Sequence, residues 1–181
     1  RKGEDTMQEH GLKISELVTL FNLEVLNRGS DYDTALLTIT DVNRPGLQFH
    51  SFYDYFDPRR LQVLGKAEIT YLKGLTTEQR RKCFDDLFLY DIPALVISRG
   101  LDCFPECLES ARVHERTLLR TEETTVEFTS HTIEYLNRVL APCVTRHGVL
   151  LDISGEGVMI TGDSGIGKSE SAIELIMRAV S

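Results

Sequence analysis

The segment Gly157–Ser169, GVMITGDSGIGKS, carries the residue types of a polyphosphate site at the spacing such a site needs. Gly162, Gly167, Lys168 and Ser169 fill the fixed positions of G-x-x-x-x-G-K-[ST]. The glycines let the backbone turn tightly and aim its N–H groups inward at phosphate oxygens. The candidate cradle is therefore Gly162, Asp163, Ser164, Gly165, Ile166 and Gly167. Lys168 would place a cation near the β- and γ-phosphates, and the Ser169 hydroxyl is a candidate Mg²⁺ ligand. A helix starting here points its positive end at the same phosphates. This chemistry is the binding of a nucleotide such as ATP.

Flanking residues supply the elements that must hold such a loop. Val158, Met159 and Ile160 read as a short apolar strand entering it, and Ala172, Ile173, Leu175, Ile176 and Ala179 mark the buried face of the helix leaving it. Val149–Asp152 is an apolar run ending in Asp, the pattern of a second metal-binding motif, but it precedes the loop, and Asp152 reads as a turn residue at a hairpin end. Only a dozen residues follow Ser169, whereas a P-loop fold needs several more parallel strands. Residues 131–181 thus read as a connector helix and the first part of a P-loop kinase-type domain, and the chain as the front of a longer protein.

Residues 1–130 read as an amino-terminal α/β domain with a mixed or parallel sheet, because short apolar runs alternate with helical patterns. Ile14–Phe21 is an expected helix with Leu17, Leu20 and Phe21 on one face and Ser15 as its cap. Leu23–Leu26, Ala35–Ile39, Arg60–Leu64, Pro93–Ser98 and Leu118–Leu119 are expected strands, and Asn43-Arg44-Pro45-Gly46 a turn. Thr76 followed by Gln79 fits a capping box that opens a helix with Cys83, Phe84, Leu87 and Phe88 on its inner face. Glu106–Val113 reads as a helix. Ser130 is the expected cap of the connector, whose Ile133, Leu136 and Leu140 share a face before Pro142 ends it. The aromatic stretch Phe49–Phe56 is expected to serve packing or an interface.

Composition narrows the partners. A net charge of −8 argues against a general nucleic-acid or anionic-membrane binder. No apolar run reaches the length of a membrane span, and the polar start RKGEDTMQEH is unlike a signal peptide, so a cytoplasmic location is expected. Four cysteines stand at 83, 103, 107 and 143. Cys103 and Cys107, with Cys143 and His147, could be set out as a Cys₃His zinc site, but Pro105 interrupts the first pair, and structural thiols are the better reading than either that site or disulfides.

The run HGVLLDISGEGVMITGDSGIGKSESAIELIMR, residues 147–178, closely resembles the P-loop region of bacterial HPr kinase/phosphorylase. RPGLQFHSFYDYF (44–56), RLQVLGKAEITYL (60–72), PALVISRG (93–100) and YLNRVLAP (135–142) resemble its other parts. Glu170 directly after Ser169, and the His147-Gly148 pair, separate this family from generic P-loop proteins. The resemblance implies a bifunctional, typically homohexameric serine-specific protein kinase/phosphorylase of carbon catabolite regulation. Such an enzyme phosphorylates a serine of the phosphocarrier protein HPr with ATP or pyrophosphate, and reverses this by phosphorolysis. It further implies that Gly162–Ser169 bind the nucleotide or pyrophosphate, that Lys168 stabilises transferring charge, that Ser169 holds Mg²⁺, and that His147 is an active-site histidine. Arg178–Ser181 stand where the family continues into its general-base aspartate, so the 181 residues alone are expected to be inactive. The alternative is a non-catalytic nucleotide sensor whose P-loop gates an interaction of the amino-terminal domain; a degraded P-loop beside an oligomerisation or ligand module ranks last, because Gly167-Lys168-Ser169 is intact.

Overall fold

A computed structural model describes residues 10–142. Its elements run β1 (Leu12–Lys13), α1 (Ile14–Phe21), β2 (Glu24–Asn27), β3 (Leu36–Leu37), β4 (Val42–Asn43), α2 (Gly46–Phe49) and β5 (Leu61–Leu64). Then follow α3 (Lys66–Lys73), α4 (Thr77–Phe88), β6 (Leu95–Ile97), α5 (Pro105–His114), β7 (Leu118–Arg120) and α6 (Thr125–Val139). β4, β5, β6 and β7 lie side by side in parallel, and β2 closes the sheet antiparallel to β7. β1 and β3 form a separate antiparallel pair. This is the mixed α/β sheet expected.

Strand side chains alternate between two cores with the period of two that a pleated strand imposes. Leu64, Leu95, Ile97 and Leu118 face the core built with α3, α4 and α5. Leu61, Val63, Val96 and Leu119 face the other, built with α1, α6 and the β1–β3 pair. With both faces covered, β5 and β6 are apolar almost throughout; their one polar residue, Gln62, is fully buried and accepts from the Asn43 amide at 2.7 Å.

Local chemistry explains where helices begin. Thr76 Oγ1 accepts from Gln79 N–H at 3.1 Å while the Gln79 side chain accepts from Thr76 N–H at 3.0 Å, and Cys83, Phe84, Leu87 and Phe88 are buried as expected. α1 starts differently from expectation. Ser15 lies inside the helix, and Glu16 closes its start by accepting from Lys13 N–H at 3.2 Å. Ile14 and Leu17 are buried there, whereas Leu20 is half-exposed. α6 also begins earlier than Ser130, at a Thr124–Glu127 capping box. Its buried face is Thr125, Phe128, Thr132 and Leu136, so it packs within the compact unit that ends at Ala141. The stretch read as a turn joins β4 to the one-turn α2: Asn43 ends the strand, Gly46 opens the helix, and Pro45 stands directly before it, where its missing N–H costs nothing.

In the aromatic stretch, Phe49 is core, and Tyr53 stacks on Tyr90 with ring centroids 4.9 Å apart. Tyr55 is 99% exposed and holds a left-handed φ of 63°.

Candidate functional site

His147 and Gly162–Ser169 lie outside the described residues, as do Cys143 and Asp152. Within them, the natural place for chemistry is the carboxyl edge of the parallel strands, where loops converge in α/β folds. Five residues from four separate parts of the sequence meet there. Gly65 follows β5, and its N–H donates to Glu68 Oε1 at 2.7 Å, which caps α3 with a carboxylate. The same oxygen accepts from Arg44 Nη2 at 2.8 Å, from the loop after β4. Ser98, just past β6, donates through Oγ to the Leu64 carbonyl at 2.9 Å and lies 2.6 Å from Thr125 Oγ1 on the first turn of α6. A Cβ on Gly65 would come within 2.5 Å of Arg44 Nη2 and 2.6 Å of Thr125 Oγ1.

This cluster positions; it does not react. Glu68 occupies the place at the α3 terminus that an external anion would take. The Ser98 hydroxyl is bonded to a carbonyl and another hydroxyl, and no base among the described residues hydrogen-bonds to it. Sequence reading missed the cluster because Gly65 carries no capping side chain and looks like a strand stop. The recoverable signal was Gly65-x-x-Glu68, a capping box lacking only its hydroxyl.

A second cluster ties α4 to α5 beside an open groove of about 510 Å³, which Arg81 and Asp85 help to line. Asp85 Oδ1 accepts from Arg81 Nε at 2.9 Å, from Ser110 Oγ, and pairs with His114 Nε2 at 3.2 Å. The residue types are those of a hydrolase triad, but the order is wrong. A nucleophilic serine needs histidine between itself and the acid; here the carboxylate stands between serine and histidine, so no base takes the hydroxyl proton. Burial pushes the Asp85 carboxyl up, but donations from Ser110 and Arg81 outweigh it and hold the group below its ordinary value. The cluster is a tie between helices.

No group of three or more His, Cys, Asp or Glu among the described residues could hold a metal ion. Cys83, Cys103 and Cys107 are free thiols. No helix among these residues is long and apolar enough to cross a membrane.

Two family models account for nearly all of the chain. One, described as HPr Serine kinase N terminus, matches residues 12–136. The other, the HPr Serine kinase C-terminal domain, matches residues 138–181. The chain belongs to the HPr serine kinase family. Among curated relatives named HPr kinase/phosphorylase, that of Alkaliphilus metalliredigens is 46% identical over 167 residues, covering 92% of this chain and 54% of that protein. That of Clostridium beijerinckii is 45% identical over 168 residues, 93% of this chain and 55% of the relative. This HPr kinase family chain thus spans about half the length of the curated relatives it matches. The fold also resembles a crystal structure of the CBS and DRTGG domains of the regulatory region of Clostridium perfringens pyrophosphatase. That likeness has a TM-score of 0.50 at 14% identity and covers 73% of this chain and 51% of the other, a similarity of fold alone.

Proposed function

We propose that the protein carrying this chain is a serine-specific protein kinase/phosphorylase that phosphorylates a serine of HPr with ATP or pyrophosphate and removes the phosphate by phosphorolysis. The observation that carries the reading is the intact Gly162–Ser169 motif inside the segment matched by the kinase family's carboxyl-terminal model. The backbone from Gly162 through Asp163, Ser164, Gly165 and Ile166 to Gly167 cradles the phosphates, and Lys168 offsets charge as it moves onto the leaving oxygen. Ser169 is a hard oxygen donor, the type Mg²⁺ takes beside phosphate oxygens, and the bound ion neutralises phosphate charge. His147, at the head of the strand pair entering the loop, faces the bound phosphates in this reading. The assembly is a homohexamer in the cytoplasm, serving carbon catabolite regulation.

The test is Lys168→Ala in protein extended past residue 181. Kinase and phosphorolysis pass through one charged transition state, so both fall by about 10²- to 10³-fold. Retention of either activity near the parent rate refutes the assignment. The 181-residue chain, assayed beside the extended one with HPr, Mg²⁺ and ATP, shows no phosphotransfer.

A further inference from the structure

The loop after β6 delivers two cysteines to one helical turn. Cys103 directly precedes Phe104, the N-cap of α5, and Cys107 sits in the first turn behind Pro105. The Phe104 carbonyl oxygen ties them together: it accepts from the Cys103 thiol at 3.4 Å, from Cys107 N–H at 3.0 Å and from Leu108 N–H at 3.1 Å. Both side chains belong to the core shared with α4, but their exposure differs. Cys107 is 1% exposed, whereas Cys103 is only partly buried. Arg120 of β7 reaches the same loop, donating through Nη1 to the Leu101 carbonyl at 3.2 Å.

We propose that Cys103 and Cys107 form a reversible dithiol–disulfide couple, with Cys103 as the attacking thiol and Cys107 as the resolving one. Partly exposed cysteines at helix N-termini beside a cation are the ones that become nucleophiles. The Cys103 thiol is held below its ordinary pKa, by the neighbouring Cys107 thiol first and by Arg120 as well, against the opposing effect of burial. Burial pushes Cys107 well up, which suits a thiol that acts second. Cys83 is an internal control: it is buried in the same core, donates to the Phe49 carbonyl, and is pushed up by desolvation.

The oxidant is a low-molecular-weight disulfide. The Cys103 thiolate attacks one of its sulfurs, forming a mixed disulfide and releasing one thiolate. Cys107 then gives up its proton and attacks the Cys103 sulfur, breaking the mixed bond and releasing the second thiol. Two protein thiols are oxidised and the small disulfide is reduced to two thiols. The second step is the slower, because Cys107 ionises in the core.

The test exposes the whole chain to oxidised glutathione, then alkylates and digests it with trypsin. Cys103 and Cys107 fall on one peptide, Gly100–Arg112, while Cys83 and Cys143 fall on separate ones. The expected product is that single peptide lighter by two hydrogens, reverting under dithiothreitol. Iodoacetamide reacts with Cys103 about tenfold or more faster than with Cys83. Cys107→Ala accumulates glutathione on Cys103, and Cys103→Ala leaves Cys107 unmodified. Equal alkylation of Cys103 and Cys83 overturns the proposal. So does a lasting glutathione adduct on Cys103 in the unsubstituted chain, or a disulfide joining either residue to Cys83 or Cys143.

Discussion

Glu68 and Asp85 are both carboxylates with more than one donor, yet they hold the sheet's helices in different ways. Glu68 is 9% exposed and bonds a backbone N–H that has no other partner among the described residues, so its loss strands a buried donor. Asp85 is 36% exposed, and its donors are all side chains on α4 and α5. Arg81 and His114 can turn to water if it goes, and the Ser110 hydroxyl, though buried, can rotate, which the fixed Gly65 N–H cannot. Carboxylates of equal charge therefore differ in worth by what their removal leaves unpaired, not by how many bonds they make.

The comparison breaks most severely at Gly65. Gly65→Val forces a side chain into Arg44 and Thr125. Arg44 is flexible and half-exposed, but Thr125 is buried and locked to Ser98. Overpacking of this kind costs about 3 kcal/mol, read as a lower urea midpoint with unchanged slope. Next, Glu68→Ala removes the acceptor for Gly65 N–H and costs about 2 kcal/mol, whereas Glu68→Gln keeps an acceptor and costs roughly half as much. Equal losses in the two variants would mean that the charge opposite Arg44 matters more than the cap. Ser110→Ala, which trims the α4–α5 tie, costs about 1 kcal/mol. A Ser110→Ala loss above that of Glu68→Ala reverses the ranking and the reasoning behind it.

How much of this was legible beforehand depended on whether the signal was local. α4 was readable because Thr76 and Gln79 supply both halves of a capping box within one turn. The start of α6 was equally local, in Thr124 and Glu127, but Ser130 drew attention as a cap inside what is continuous helix. β3 was expected as a five-residue strand, and only Leu36–Leu37 pair, outside the main sheet. Its partner is the two-residue β1, so tertiary pairing set its length. The Arg44–Gly65–Glu68–Ser98–Thr125 cluster was not legible, since parallel strand order alone brings those positions together. The phosphate loop shows the opposite case: its chemistry is written in consecutive residues and needed no fold to be read.

A third carboxylate sharpens the contrast by inverting its sign. Asp31 has a buried Oδ1 with no hydrogen-bond partner among the described residues. Burial raises its carboxyl above the ordinary 3.8, and Asp91 adds to this against its own backbone hydrogen bond and Arg116. Its folded-state pKa therefore lies above the unfolded one, the reverse of Asp85. The folded chain holds the Asp31 proton more tightly, so the penalty from this group grows as pH rises from the unfolded value through the folded one, then stays constant. Asp85 behaves oppositely: its contribution is complete above the unfolded value and is lost as pH falls through the folded one. Asp31→Asn should raise the urea midpoint at about pH 7, with the gain gone by about pH 3, where both states carry the proton. Asp85→Asn should lower the midpoint at about pH 7, and that loss should also shrink in acid. Both effects are the smallest proposed here, since neither group is fully removed from water. A drop in midpoint for Asp31→Asn at neutral pH would show that its ionised form is favoured after all, and an unpartnered buried oxygen would then be no guide to which carboxylates destabilise this fold.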